Sequence, residues 1–342
     1  MARTIEFSIE EGNIILFDAD VVALKYAQNF YGVDSLVATA LNEVGIPYKD
    51  ISPSIGASVY IKTKEVIKSP YVLFVGVPPL YVLGYQDIRM LAENVLETLS
   101  QKNTSMRHLA MTIHGPGFAL DEVEALLAQF TGYLQAIQNG KIPPDIERIS
   151  IVERNQSRVE RLRYGFEKNI AGMKNVSKVK NRWAYRLEVP KEFEYSSEIF
   201  FRNSSFNEKT VIKSEEKPHA FVAMPFRKDM EDIFYYGIQR AAHANDLLCE
   251  RIDQVAFAGD ILDRVKKKIE TATVVIAELS DANPNVYLEV GYAWGKNVPT
   301  VLLVKKTDEL RFDVRGQRCL KYEIIKDLEE TLTKELAGLL DN

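Results

Sequence analysis

Glu289 is the residue whose setting asks for chemistry. It stands in Thr273-Val-Val-Ile-Ala-Glu-Leu-Ser-Asp-Ala-Asn-Pro-Asn-Val-Tyr-Leu-Glu-Val-Gly-Tyr-Ala-Trp294, which reads as an apolar strand, a polar crest and a helix. Pro284 suits the first helical position, where its missing N–H is no loss, and Asn283 suits the N-cap. Asn285 and Glu289 then fall four apart on one helix face. The remaining helix residues are Val286, Leu288, Val290, Tyr292, Ala293 and Trp294, so the carboxylate sits in apolar company. Such a group must have a reason, and a carboxylate there can stabilise positive charge that develops on a bound ligand. The bland reading is a structural carboxylate paired with Lys296 or Arg227, with Tyr292 and Trp294 as core rather than as a base-stacking platform.

Three more polar residues close apolar strands in this half of the chain. Arg227 follows the strand His219-Ala-Phe-Val-Ala-Met-Pro-Phe226, Asp253 follows Leu247–Ile252, and Asp281 follows the strand before Glu289. Helices are predicted after Asp232 as far as Asn245, from Gly259-Asp260-Ile261 to Thr271, and over Ile325–Leu340, the last as a lid or packing helix; a further strand is predicted at Thr300–Lys305. Open parallel sheets bind ligands outside the carboxyl ends of their strands, where these polar residues and Glu289 would converge. Asp253 and Asp281 read equally as turn residues. Arg227 reads as a phosphate ligand or as plain surface.

The first half also alternates. Ile14–Leu24 is a near-continuous apolar run interrupted by Asp18 and Asp20; Ser58–Lys64, Tyr71–Val77, His108–His114 and Ile146–Val152 read as strands, and Asp34–Val44, Gly84–Leu99 and Leu120–Ile137 as helices. This pattern implies a largely parallel sheet with helices on both faces. The turn Gly115-Pro-Gly117 before Asp121 could present backbone amides to a phosphate, or be a tight βα turn with Asp121 favouring the helix start. Gln156–Ile170 is predicted as a helix carrying Arg158, Arg161, Arg163 and Lys168, either solvated or facing a partner's phosphates. Residues 172–216 turn polar but hold Trp183, Tyr185, Phe193, Tyr195, Phe200 and Phe201, so they form a packed connector rather than a disordered linker.

At 342 residues the chain exceeds one ordinary core, and two domains of about 150 residues each are natural. The net charge of −5 argues against broad attraction to nucleic acid or membrane surfaces. Two distant cysteines and four histidines support neither a zinc site nor a disulfide framework. With no signal pattern and no long apolar run, the chain is expected to be cytoplasmic.

Over the stretch from Met1 to about Asn155 the chain resembles macro domains, which bind ADP-ribose and related nucleotides. Gly12-Asn13-Ile14 stands where they have Gly-Asp-Ile, with Asn13 in place of the aspartate that reads adenine. Asp18-Ala-Asp-Val21 is similar to their Val-Asp-Ala-Ile strand, and Tyr26-Ala-Gln-Asn29 with Gly32-Val-Asp34 to their Asn-Ala-Ala-Asn and Gly-Val-Asp. Val75-Gly-Val-Pro78 and Gly115-Pro-Gly117 fall near their Val-Gly-Pro and phosphate loop. The resemblance implies nucleotide sensing through Asp20, Asn29, Gly115 and Gly117. A Rossmann-like sensor of the CARF type is the competing fold.

From about Lys217 to Tyr322 the chain resembles nucleoside 2-deoxyribosyltransferases and the TIR-like domains related to them. Phe221-Val-Ala-Met-Pro-Phe226, Cys249-Glu-Arg-Ile-Asp253, Gly259-Asp-Ile261, Val275-Ile-Ala-Glu-Leu-Ser280 and Asn283-Pro-Asn-Val-Tyr-Leu-Glu-Val-Gly-Tyr-Ala293 follow that pattern in order, with Glu278 where many relatives carry aspartate. Phe312-Asp-Val-Arg315 resembles their tail, in which Asp313 and Arg315 would pair. The resemblance implies a catalytic role for Glu289, assisted by Asp281 and Asp253, and substrate contacts from Met224, Phe226, Arg227, Asp260, Asn283 and Asn285.

The expectation is therefore two α/β domains, each a mainly parallel sheet with helices on both faces: a macro-like domain over 1–171, a connector over 172–216 and a flavodoxin-type TIR-like domain over 217–342. The expected activity is nucleotide-regulated hydrolysis of NAD at the nicotinamide bond. NAD is then a substrate, with no cofactor and no metal, and the layout resembles bacterial anti-phage effectors that work as homo-oligomers. The alternatives are a nucleoside or nucleotide N-glycosidase or deoxyribosyltransferase, and a non-catalytic nucleotide-binding module that signals by oligomerising.

Overall fold

Apolar strands alternating with amphipathic helices build two separate sheets, and the computed structural model describes them over residues 3–102, 105–190, 217–252, 260–308, 311 and 314–341. The chain divides into two units. Of the described residues, the first unit takes those up to Gly115 and from Glu122 to Pro190. The second takes Pro116–Asp121 and the residues from Lys217 onward.

The first unit runs β1 Thr4–Glu11, β2 Val21–Tyr26, α1 Gly32–Glu43, β3 Ser58–Lys62, β4 Tyr71–Gly76, α2 Tyr85–Gln101, β5 His108–Met111, α3 Glu122–Gln138, β6 Arg148–Glu153, α4 Gln156–Ile170, β7 Val176–Lys178 and β8 Ala184–Glu188. Its sheet has the order β3-β4-β2-β5-β6-β1-β8-β7. The strands from β4 to β1 are parallel, and β3, β8 and β7 run antiparallel to their neighbours. Val21, Val22, Ala23 and Leu24 are all fully buried, as a strand covered on both faces requires. Helix α2 buries Ile88, Leu91, Ala92, Val95, Leu96 and Leu99, a helical stripe facing α3. The two helices meet at Gly132, where a Cβ would lie 2.1 Å from the Arg89 carbonyl oxygen.

Two readings of this half change. The arginines of α4 turn inward while Lys168 is exposed: Arg158 and Arg161 grip the buried Glu122, and Arg163 donates to the Ile9 carbonyl. The early part of the connector extends the sheet as β7 and β8, with Trp183 and Tyr185 packed on Phe166. Phe193, Tyr195, Phe200 and Phe201 lie outside the described residues.

The second unit runs β9 His219–Ala223, a π-helical segment Ile233–Ile238, α5 Gln239–Ala244, β10 Leu248–Glu250, α6 Asp260–Thr271, β11 Val274–Glu278, α7 Pro284–Gly295, β12 Thr300–Lys305, β13 Cys319–Tyr322 and α8 Ile325–Leu340. Its sheet is wholly parallel, in the order β10-β9-β11-β12-β13. The short β13 escapes sequence reading because its apolar pattern is weak. Helix α8 buries Leu328, Leu332 and Leu336 in the core and is a packing helix, not a lid.

The turn after β5 also departs from expectation. Phe118 bridges Ile252 antiparallel, the Ala119 amide donates to the Arg251 carbonyl at 3.1 Å, and Arg264 Nη2 donates to the Phe118 carbonyl at 2.7 Å. Asp121 is buried, with its Oδ2 2.6 Å from His243 Nε2 and accepting from the Cys249 amide at 3.1 Å. Pro116–Asp121 thus completes the β10 edge of the second unit. Among the described residues no helix is long and apolar enough to cross a membrane.

Candidate functional site

In the second unit the chain starts at β9, adds β10 on one side and β11 on the other, so the order reverses between β9 and β11. A crevice outside the carboxyl ends at such a reversal is where open parallel sheets bind ligands. At the end of β9, Met224 is buried while Phe226 is 41% exposed. Arg227 follows, with its Nη2 2.6 Å from Asp281 Oδ2 and 2.7 Å from Asp229 Oδ2. The guanidinium ties the loop after β9 to the crest after β11.

That crest is strained. Asp281 and Ala282 both adopt left-handed backbone conformations, with φ of 62° and 50°, each costing about 1–2 kcal/mol for a non-glycine residue. Asp308 Oδ2 accepts from the Asp281 amide at 2.9 Å, the Leu279 carbonyl accepts from the Ala282 amide at 3.1 Å, and Asn283 Oδ1 caps α7 by accepting from the Asn285 amide at 2.9 Å. Beneath lies Glu278, fully buried at the end of β11. Its Oε1 accepts from Ser280 Oγ at 2.5 Å and from the Tyr322 hydroxyl at 2.9 Å, while Ser280 Oγ accepts from the Lys305 amide at 2.9 Å. Burial pushes the Glu278 carboxyl above its usual range against the pull of those donors, and its Oε2 has no hydrogen-bond partner among the described residues. A carboxylate ending an otherwise apolar strand was the available signal for this post.

Glu289 lies in the second turn of α7, half-buried. Among the described residues its carboxylate has neither a hydrogen bond nor an ion pair, and burial alone lifts it to about 7. The two cations considered as structural partners are engaged elsewhere: Lys296 with Glu270 at 2.7 Å, and Arg227 with its two aspartates. The helix turns Val286, Val290 and Ala293 to the core but leaves Leu288 66% and Trp294 38% exposed, so Trp294 is not a core residue and the apolar company is one-sided. Asn285 is exposed, and the Tyr292 hydroxyl donates to Glu270.

The structure therefore joins Arg227 to Asp281 directly and sets Asn283, Asn285 and Glu289 on one helix. Asp253, Phe312 and Asp313 lie outside the described residues, as does the side chain of Asp260.

In the first unit Gly115 has a positive φ of 101°, and Gly117, which belongs to the second unit, has one of 86°. Asn29 Oδ1 accepts from the Phe30 amide just beyond β2. Asp20 lies at the other end of that strand, where its Oδ2 accepts from the Arg107 and His108 amides and fastens the start of β5. Sequence reading missed a buried cluster near the carboxyl end of β2: Lys25 forms a salt bridge with Asp34 in the first turn of α1, and the buried His114 lies within reach of the Lys25 charge. Burial raises the Asp34 carboxyl despite Lys25, and burial followed by Lys25 holds the His114 imidazole well below its usual range. Asp34 Oδ1 and His114 Nε2 have no hydrogen-bond partner among the described residues.

No protein-family model matches the chain, and no curated protein does. Among solved structures it is similar to an Oceanobacillus iheyensis macrodomain with ADP, at 13% identity over 47% of this chain and 90% of that one, with a TM-score of 0.37. It is similar to the macrodomain of Mycobacterium tuberculosis DarG at 12% identity over 42% of this chain and 96% of that one, with a TM-score of 0.34. An Alphavirus P23pro-zbd structure matches at 9% identity over 92% of this chain and 45% of that one, with a TM-score of 0.38.

Proposed function

We propose that the second unit hydrolyses NAD at the bond between nicotinamide and ribose, and that the first unit recognises a nucleotide that regulates it. The observation that carries this reading is the Glu289 carboxylate, half-buried and without a partner among the described residues, beside the strand-order reversal of a parallel sheet. Nicotinamide in NAD is already cationic at its ring nitrogen, so the C1′–N bond can break without a strong acid and leave neutral nicotinamide. The Glu289 carboxylate stabilises or captures the oxocarbenium carbon. Water then adds at C1′, giving ADP-ribose and one proton. Asp281, fixed by Arg227, stands at the crest for ribose hydroxyls, and Asn285 presents an amide one turn before Glu289. The pairing of a nucleotide-recognising unit with an NAD-consuming one fits a cytoplasmic anti-phage effector that acts as a homo-oligomer.

The test is to incubate the full chain with NAD and with deoxynucleosides, with and without ADP-ribose or cyclic oligonucleotides, and to follow nicotinamide and free base. Nicotinamide release that disappears in Glu289→Gln supports the reading. Release of base without nicotinamide overturns it in favour of deoxyribosyl transfer. Equal rates for wild type and Glu289→Gln place the chemistry elsewhere.

A further inference from the structure

Resting on the reading that the first unit regulates the second, we infer that Pro116–Asp121 is a regulatory strap through which the state of the first unit reaches Glu289.

The strap lies in the chain of the first unit, after β5 and before α3, yet it packs as part of the second. Its far end is fixed on both sides of one peptide bond. Asp121, buried, meets His243 Nε2 of α5 at 2.6 Å and accepts from the Cys249 amide of β10 at 3.1 Å. Glu122, the next residue and also buried, is held within the first unit by Arg158 at 3.2 Å and Arg161 at 2.8 Å. Two successive carboxyl groups with partners in different units leave little slack, so a movement of α3 is passed to the β10 edge. The near end starts at Gly115, directly after the buried His114. Gly115 and Gly117 both take the positive φ that suits glycine, which lets the chain turn there.

Between these ends the strap is held under strain. Ala119 has a φ of 65°, a left-handed conformation that a residue with a side chain keeps only where its surroundings impose it. Here the Ala119 amide donates to the Arg251 carbonyl at 3.1 Å, and Arg264 Nη2 of α6 donates to the Phe118 carbonyl at 2.7 Å. Ala119 is itself fully buried, in the hydrophobic cluster that also holds Phe221 and Ala223 of β9 and Val286 and Val290 of α7. Val290 follows Glu289 in sequence and Val286 lies one turn before it, so this cluster sets where α7 presents the carboxylate. A close-packed interior passes a displacement on rather than absorbing it. Ala220 and Val222 of β9 point to the other face, into the cluster beneath α8, which holds no strap residue among the described residues. A shift at Ala119 is therefore felt at α7 and not at α8.

The experiment measures amide hydrogen exchange by mass spectrometry on the full chain as wild type, Gly115→Ala, Arg264→Met and the double variant, comparing peptides of α7 with peptides of α8. Gly115→Ala disturbs the strap from the side of the first unit, and Arg264→Met frees it on the side of the second. Each is expected to speed exchange in α7 on the order of 10-fold and in α8 by less than about twofold. Because both act through one strap, the double variant should fall well short of the product of the two effects. Unchanged α7 exchange in Gly115→Ala, equal acceleration in α7 and α8, or effects that multiply would overturn the inference. If Arg264→Met fails to fold by thermal melt, Arg264→Lys, which keeps the charge and a donor, decides by the same comparison. Exchange does not depend on catalysis, so the two claims separate. Nicotinamide release that vanishes in Glu289→Gln, with α7 exchange indifferent to both strap variants, keeps the NAD reading and sinks the strap. Strap-dependent exchange in a chain that cleaves no NAD upholds the strap and sinks that reading. Where NAD is cleaved, kcat should also fall in both single variants, on the order of 3- to 10-fold, and an unchanged kcat counts against the strap.

Discussion

Each unit places a carboxyl group in the helix that follows a central parallel strand, Asp34 after β2 and Glu289 after β11, and gives the two opposite surroundings. Asp34 is buried against Lys25, which opposes the cost of burial. Glu289 is half-buried with no cation or donor among the described residues, so nothing opposes that cost. A buried charge with its counter-ion is a structural element whose loss is felt by the fold. A desolvated carboxyl without one is held near its ionisation point and is available to a ligand that brings positive charge. Glu278 sharpens the contrast within the second unit: it is buried more deeply than Glu289, yet hydrogen bonds from Ser280 and Tyr322 fasten it beneath the crest.

The hardest test of that contrast is Glu289→Gln, expected to lower NAD hydrolysis by at least about 10³-fold, with little change in melting temperature at about pH 4, where the Glu289 carboxyl is protonated in folded and unfolded chain alike. Retained activity would erase the distinction between the two carboxyls. On the other side, Lys25→Met should destabilise the first unit by about 3–5 kcal/mol in urea unfolding, because Asp34 is left buried and unpaired, and adding Asp34→Leu should restore most of that loss. A double variant no more stable than the single would show that the pair is not a unit.

The pH dependence of Glu289 follows from a folded-state value of about 7 against the ordinary 4.5. Between these values the folded chain holds a proton that the unfolded chain has released, so stability falls as pH rises through the window. The whole effect is roughly 3 kcal/mol, and wild type should lose that much relative to Glu289→Gln between pH 4.5 and pH 8. In the proposed hydrolysis the carboxylate is the working form, so kcat/KM on NAD is expected to rise with pH through about 7. A flat profile, or a stability difference that does not move, would show that Glu289 is solvated like a surface group.

Tyr322→Phe removes one donor from Glu278 and should cost about 1–3 kcal/mol in the same unfolding assay. The smallest effect expected is from Ala282→Gly, where the left-handed backbone favours glycine: a gain of up to about 1 kcal/mol. A loss there would mean that the Ala282 methyl packs in the crest more than its backbone strains it.

Much of this was legible beforehand. The apolar runs of β2, β4, β9 and β11 and the stripes of α2 and α8 repeat with the periods of their structures, and Asn283-Pro284 marks the start of α7, where the cap is found. Glu289 stood out because a carboxylate on that helix had no local reason. The strap Pro116–Asp121 gave no such signal, because Gly115-Pro-Gly117 reads as an ordinary turn between strand and helix. Asp121 read as a residue of the α3 start, although its carboxyl meets His243 and the Cys249 amide.

The sequence by itself determined the alternation of elements, the helix cap and the candidacy of Glu289, because period, capping and turn chemistry act over a few residues. Only the tertiary structure decided which charges have partners. It paired Lys25 with Asp34 and Arg227 with Asp281, built Pro116–Asp121 into the second unit and left Glu289 alone among the described residues. Those outcomes depend on strand order and on contacts between residues far apart in the chain, and the free energy of a carboxyl group depends on what surrounds it in space.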